Sequence, residues 1–104
     1  MTAHPSHSPK VLRILRAIAI VRSKVASIPS ASEADEMAIL AAEKRVKAEL
    51  QRELCARFWF GSDGKFHLQM ANVATSNAEN GATLFRRWQI DAGRKIQMMK
   101  AAAA

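Results

Sequence analysis

The most regular pattern in the chain is a stripe of apolar residues between residues 11 and 28. Its members recur three and four positions apart, as in the a/d seam of a coiled coil, and all are β-branched: Val11, Ile14, Ile18, Val21, Val25 and Ile28. Ser8 and Pro9 precede the stripe in the order typical of an N-cap and a first helical residue. Pro29 follows it and would stop a helix. The pattern predicts a first helix over residues 10–28.

A second helical pattern follows this proline. Ser30 and Glu33 have the spacing of a capping box, and further acids follow at the start of the segment, which favours a helix beginning near residue 32. The apolar positions then recur mostly four apart, at Ile39, Ala42, Val46, Leu50, Leu54 and Phe58. Such a stripe drifts around the helix and suits globular packing better than a long supercoil. We predict a second helix over residues 32–58.

Aromatic residues and a turn signal occupy the next segment. Phe58, Trp59 and Phe60 cannot share one face of a helix, the Gly61–Gly64 segment is typical of a turn, and residues 66–70 alternate apolar and polar side chains. These features predict a short β-hairpin with strands over 57–60 and 65–70. The alternative is that the helix ends here with Gly61 as its C′ residue.

Small polar residues from 71 to 81 predict a loop or a weak helical turn. A last helix is expected over 82–99, with Asn80 as a candidate cap and an apolar stripe made of Phe85, Trp88, Ala92, Ile96 and Met99. Residues 1–9 are predicted to form a flexible arm, 10–100 a single helical domain and 101–104 a frayed tail. The expected fold is mainly α, either a small three-helix bundle or a helical hairpin plus a C-terminal helix.

The net charge of +7 is spread unevenly along the 104 residues. Residues 1–32 carry five bases and no acid, residues 33–60 five bases and six acids, and residues 61–104 six bases and three acids. In the heptad of the first helix, Lys10 and Lys24 fall at g and Arg22 at e, where a partner helix offers acids. The acid-rich second helix is therefore a natural partner within the same chain.

The apolar stripe also carries the main functional hypothesis. Three helices of this size leave part of a wide stripe uncovered, and an uncovered stripe is an association surface. We expect a non-catalytic protein–protein binding or assembly module that self-associates. Its candidate partner-binding residues are Val11, Ile14, Ile18, Val21, Val25, Trp59 and Phe60.

The first 32 residues have two other interpretations. Their Arg- and Ser-rich, acid-free composition also suits a mitochondrial presequence. A membrane-surface helix is less favoured, because the apolar face carries neither Trp nor Phe. No uncharged apolar run is long enough to span a membrane. The protein is therefore expected to be cytoplasmic, with a mitochondrial location as the alternative.

Arg86, Arg87 and Arg94 of the last helix support an alternative function, a small basic DNA- or RNA-binding accessory protein. The competing interpretation is a solvated face in which Asp91 pairs with Arg87 and Lys95. A helix-turn-helix over residues 70–92 would aim Arg86 and Arg87 at DNA, although the polar segment 76–80 fits its turn poorly.

Candidate catalytic chemistry is sparse. Cys55 and His67 form the one plausible nucleophile–base pair and lack a third, orienting residue. Cys55 is expected to be a small buried residue on a helix. The single cysteine excludes an intrachain disulfide and a multi-cysteine zinc site. Removal of Met1 would place His4 third from a free amine, a short Cu(II) or Ni(II) motif that arises easily by chance. We predict no enzymatic activity, no cofactor and no metal site.

Overall fold

The computed structural model describes residues 8–103, which form three helices and one antiparallel sheet. The elements follow the order α1 (Pro9–Ala26), α2 (Glu36–Leu54), β1 (Arg57–Phe60), β2 (Phe66–Met70), β3 (Val73–Asn77) and α3 (Ala82–Ala103). The fold is mainly α with a small three-stranded sheet. Neither the three-helix bundle nor the helical hairpin plus a C-terminal helix describes the fold, because α3 packs on β2 and β3 as well as on α1. Residues 1–7 of the predicted arm lie outside the described residues.

The first helix begins as the sequence predicts. The Ser8 hydroxyl accepts a hydrogen bond from the Val11 N–H at 3.2 Å, and Pro9 is the first helical residue. The helix ends at Ala26, three residues before Pro29. Its inward face is the predicted apolar stripe, which packs against α2 and α3.

The second helix is shorter than predicted at both ends. Only half of the predicted capping box forms: the Ser30 N–H and hydroxyl both donate to Glu33 Oε1 at 2.9 Å, while the Glu33 N–H donates to the Ser30 carbonyl, and these bonds close a turn that precedes the helix. Asp35 is the N-cap and accepts from the Ala38 N–H at 2.8 Å. The helix ends at Leu54 because the next residue, Cys55, has a left-handed φ of 53°.

The predicted β1–β2 hairpin is confirmed, with Phe58 opposite Leu68 in an antiparallel register. The predicted loop or helical turn at 71–81 is wrong, because residues 73–77 form β3. Ala71 and Asn72 join β2 to β3 with φ values of 52° and 63°, as in a two-residue hairpin turn with two left-handed residues. The strand also rules out the helix-turn-helix over residues 70–92.

The core lies between α3 and one face of the sheet, and α1 closes it from the other side of α3. Trp88 is fully buried there, and its indole N–H donates to the Val73 carbonyl at 3.0 Å. Thr75 is the buried polar residue of this core, and its hydroxyl donates to the Asp91 carboxylate of α3. These two bonds fix α3 against β3.

Candidate functional site

Strand β1 displays two large aromatic side chains on opposite faces of the sheet. Trp59 is 43% exposed and stacks on His67, with ring centroids 5.1 Å apart and an interplanar angle of 8°. Phe60 is 63% exposed and meets Phe66 edge-on at a centroid distance of 5.0 Å. The strand lies at one edge of the sheet and pairs only with β2 within the described chain. It therefore combines exposed apolar area with an unpaired strand edge, the two features that invite pairing with another chain.

The turn between β1 and β2 fixes the ring on which Trp59 stacks. Asp63 Oδ1 lies 3.0 Å from His67 Nε2 and also accepts from the Lys65 N–H at 3.0 Å. The hydrogen bond with His67, and then that with Lys65, holds the pKa of Asp63 below its usual range. A Cβ at Gly61 would lie 2.6 Å from His67 Nε2, so only glycine lets the imidazole approach this closely.

The backbone of β1 offers hydrogen-bonding groups to the open edge. The Gly61 N–H donates to the Lys65 carbonyl at 2.9 Å, which marks a hydrogen-bonded position of the hairpin. Because such positions alternate along an antiparallel ladder, Trp59 directs its backbone groups toward β2, while Phe58 and Phe60 direct theirs to the open edge. Within residues 8–103, no other backbone or side-chain group hydrogen-bonds to Phe58 or Phe60 there.

A depression runs beside this edge, between β1, α2 and the start of α3. Two adjoining concavities of about 170 Å³ and about 370 Å³ share Lys47 and Asn80. We call the continuous depression the β1 groove and define it by Leu40, Lys44, Lys47, Phe58, Phe60 and Phe66. Leu40 is 52% exposed, so the groove has apolar surface on the helical side as well as on the strand.

The charged groups of the β1 groove are mainly positive. Lys47 Nζ lies 5.0 Å from the centroid of the Phe58 ring, a cation–π distance. Lys44 is exposed, and no carboxylate of the described chain lies within 4.0 Å of its ammonium group. Glu43 is the acid of the groove, and its carboxylate accepts from the Ala82 N–H at 2.7 Å. Lys44 and Lys47 therefore give the groove a positive charge that no acid of the groove neutralises.

The predicted seam on α1 is divided between buried and half-buried positions. Val11, Ile14 and Val21 are buried in the core of the chain itself, and Ile18 and Val25 pack against that core while half-buried. Lys24 pairs with Glu49 and Glu53 of α2 at 3.0 and 2.7 Å, so the expected complementarity between the two helices forms at this base.

The flank of the α1 stripe carries two exposed leucines. Leu12 is 51% and Leu15 38% exposed; Leu15 lies roughly 100° and Leu12 roughly 160° around the helix from Ile14. Leu40 and Phe66 are site residues that sequence analysis missed. Leu40 follows Ile39 directly and therefore lies outside the apolar stripe of α2. A large apolar residue outside the stripe was the only sequence feature that could have pointed to it.

The three arginines of α3 do not form one row. Arg87 and Arg94 lie on a common face, and Asp91 lies between them at 3.6 and 4.0 Å, respectively. Arg86 is exposed and lies roughly 100° around the helix from Arg87, as consecutive helical positions require. The structure therefore brings two of the three together around a carboxylate and leaves Arg86 apart from them.

Cys55 differs from its prediction. It is exposed and caps α2 in a left-handed conformation, so it is not a buried helical residue. Among residues 8–103, no three His, Cys, Asp or Glu side chains lie together in a way that could hold a metal ion. His4 and the copper or nickel motif lie outside the described part of the chain.

None of the helices described between residues 8 and 103 has the length and apolar character needed to cross a membrane. The chain matches no protein-family model, and neither a curated protein nor a solved structure is significantly similar to it.

Proposed function

We propose that this protein is a non-catalytic protein-binding module that adds an extended, acidic segment of a partner protein to the edge of β1. The observation that carries the proposal is the outward-facing backbone of Phe58 and Phe60 in a strand whose aromatic side chains are exposed. A strand with free hydrogen-bonding groups on one side is the template used in β-strand addition.

In strand addition, the backbone supplies affinity and alternate side chains supply selectivity. The N–H and C=O groups of Phe58 and Phe60 provide the hydrogen bonds to an incoming strand. Side chains on one face of that strand would enter the β1 groove, where Phe60 and Leu40 present apolar surface. Side chains on its other face would lie beside Trp59, whose indole is held by the stack on His67.

The positive charge around β1 favours an acidic partner segment. Lys44 and Lys47 line the groove, and Arg57 is exposed at the start of β1 with no ion-pair partner within the described residues. A segment that alternates acidic and apolar residues complements this arrangement when its acids enter the groove beside the lysines, because its apolar side chains then lie on the other face, beside Trp59. Charge complementarity raises the association rate and disfavours basic partners.

A second copy of the chain is the other candidate occupant, because the sequence pattern of α1 predicts self-association. Val11, Ile14 and Val21 are buried inside each chain, so a second copy would need a surface other than this seam. Pairing of two β1 edges would bring Arg57 and the lysines of both grooves together, and each chain carries +7. We therefore favour an acidic partner and treat the dimer as a competing outcome.

The experiment uses a synthetic peptide of about ten residues that alternates Glu and Val, added to the full chain. Binding is followed by amide chemical shifts and by tryptophan fluorescence, to which exposed Trp59 and buried Trp88 both contribute. Two peptides serve as controls, one with Lys in place of Glu and one with Pro at its central positions, which removes pairing N–H groups. The protein variants are Phe60→Asp and Lys47→Glu, and Met98→Asp is the matched control because Met98 is 71% exposed on α3.

Binding of the Glu–Val peptide, with shifts concentrated at residues 57–60, is the expected result. We expect Phe60→Asp to weaken it by about tenfold or more, and Met98→Asp to leave it unchanged. Equal binding of the Lys–Val peptide would contradict the charge argument, and equal binding of the proline peptide would contradict strand addition. A concentration-dependent dimer that Phe60→Asp dissociates would replace the acidic partner with a second copy.

Nucleic-acid binding through Arg86, Arg87 and Arg94 remains a separate hypothesis with less support. Asp91 offsets the charge of Arg87 and Arg94, and Arg86 lies on a different face. Arg86→Gln, Arg87→Gln and Arg94→Gln, made singly and combined, test it through oligonucleotide binding. If these variants abolish binding while Phe60→Asp has no effect on any ligand, the C-terminal helix is the functional surface.

A further inference from the structure

A separate concavity lies beside the turn between β2 and β3, the turn that leads to the strand farthest from β1 in the sheet. It has a volume of about 250 Å³ and is lined by Lys10 and Arg13 of α1, Lys95 of α3, and the Ala71–Asn72 turn. We propose that this concavity, the β2–β3 turn pocket, binds a phosphate group. This inference is independent of the β1 edge, since the two sites share no lining residue.

Three cations from two helices converge on the pocket. Lys10 and Arg13 lie three positions apart on α1, which places them on neighbouring turns of one face. Lys95 reaches the pocket from α3, and its ammonium group donates to the Asn72 carbonyl at 2.7 Å. This hydrogen bond holds one cation in place before any ligand arrives, which lowers the conformational entropy that binding would cost.

No carboxylate lines the β2–β3 turn pocket. The first turn of α1 contains no acid, and neither does any residue up to position 32, so the positive end of the helix adds to the field of the side chains. Asp91, four residues before Lys95, is engaged by Thr75, Arg87 and Arg94. The local charge is therefore three positive groups without a neutralising acid in the pocket.

The arrangement suits a phosphate group. The Arg13 guanidinium can donate two parallel hydrogen bonds to phosphate oxygens, and the two lysines add point charges on other sides. Ile14 and Met99 supply apolar walls to the pocket. The phosphate could belong to a free nucleotide or to the backbone of a nucleic-acid strand, because the same oxygens are presented in both.

The test compares variants that carry the same change of charge at different places. Arg13→Gln and Lys95→Gln remove cations from the pocket, while Arg16→Gln and Lys100→Gln remove exposed cations of the same helices that do not line it. The probes are inorganic pyrophosphate, adenosine monophosphate and an oligonucleotide of about eight thymidines. Binding is followed by amide chemical shifts and, for the oligonucleotide, by anisotropy over a range of salt concentrations.

We expect the pocket variants to weaken binding of at least one probe by about fivefold or more, and the control variants by less than about twofold. For the oligonucleotide, each pocket variant should also reduce the salt slope by about 0.7, the value for one lost phosphate contact on a single strand. Binding of the small probes identifies a nucleotide site, whereas binding of the oligonucleotide alone identifies a backbone contact. Equal losses in pocket and control variants would show that only net charge matters and would overturn the proposal, as would shifts that avoid Lys10, Arg13 and Asn72.

Discussion

The carboxylate of Glu43 on α2 accepts a hydrogen bond from the backbone N–H of Ala82, the first residue of α3, at 2.7 Å. An orphan donor at the start of one helix is thus satisfied by a side chain of another, 39 positions away in sequence. Gly81 makes the approach possible, because its φ is +72° and a Cβ there would collide with the Glu43 carboxylate. This contact ties α2 to α3 at the end of the β1 groove.

Replacing Glu43 by Ala should therefore destabilise the fold. We expect Glu43→Ala to lower the free energy of unfolding, measured by urea denaturation, by about 0.5–2 kcal/mol, the range for loss of a helix cap. Glu79→Ala is the matched control, since Glu79 is exposed and its side chain makes no hydrogen bond or ion pair within residues 8–103. Equal destabilisation by the two substitutions would mean that the cap contributes nothing specific.

Glycine should have opposite effects on stability at the C-terminal cap of α2 and in the middle of this helix. Cys55 has a left-handed φ of 53° and an exposed side chain, so Cys55→Gly relieves backbone strain without loss of packing. We expect it to raise the free energy of unfolding by about 0.5–1 kcal/mol, and the exposed mid-helix substitution Ala48→Gly to lower it by a similar amount. Chemical denaturation checks both. A loss of stability in Cys55→Gly would contradict the left-handed cap.

Replacing Trp88 by Phe should destabilise the fold strongly, although both side chains are aromatic. The Trp88 indole N–H bonds the Val73 carbonyl inside the core, so Trp88→Phe removes this hydrogen bond and leaves a cavity beside the carbonyl. We expect a loss of about 2–3 kcal/mol in the free energy of unfolding. Trp59→Phe, at an exposed position, should change it by less than about 0.5 kcal/mol. The packing of α3 on β3 would be wrong if both variants had the same denaturation midpoint.

The contact between α1 and α2 predicts a specific response to acid. The hydrogen bond from Lys24 holds the pKa of Glu49 below its ordinary 4.5. A depressed pKa in the folded state stabilises the fold fully above the ordinary value, and this stabilisation disappears as the pH falls below it. Lys24→Met should therefore be less stable at neutral pH and lose less stability between about pH 6 and about pH 3.

Urea midpoints at several pH values measure this difference. Arg22→Met is the control, because Arg22 is an exposed base of the same helix with no ion pair among the described residues. It should keep the pH dependence of the unchanged protein. If Lys24→Met and Arg22→Met lost the same stability in acid, Lys24 would not be the cause of the lowered pKa of Glu49.

Elements with strong local signals could be predicted from the sequence. The Ser8–Pro9 start of α1 and the β1–β2 hairpin depend on residues close together in the chain, and the Gly61–Gly64 turn is a strong local signal. Strand β3 could not be predicted in this way. It contains one large apolar residue, Val73, and its buried Thr75 is compatible with the core only because Asp91 accepts from it, sixteen positions away.

In the candidate site, too, the features with local sequence signals could be predicted, and those that depend on distant contacts could not. Trp59 and Phe60 could be selected from the sequence, because Phe58, Trp59 and Phe60 cannot share one face of a helix. Periodicity identified the apolar face of α1 but could not identify what covers it, and Val11, Ile14 and Val21 are covered by the chain itself. The β1 groove depends on the approach of α2 to the strand, which no local pattern encodes.

Amide hydrogen exchange in β1, measured by NMR on the free chain and on its complex with the Glu–Val peptide, tests the central claim most directly. In the free protein we expect the Trp59 amide to be protected and those of Phe58 and Phe60 to exchange rapidly, because only Trp59 faces β2. In the complex all three should be protected. Slow exchange of Phe58 and Phe60 without the peptide, or peptide binding that leaves them unprotected, would contradict the open edge and its role in binding.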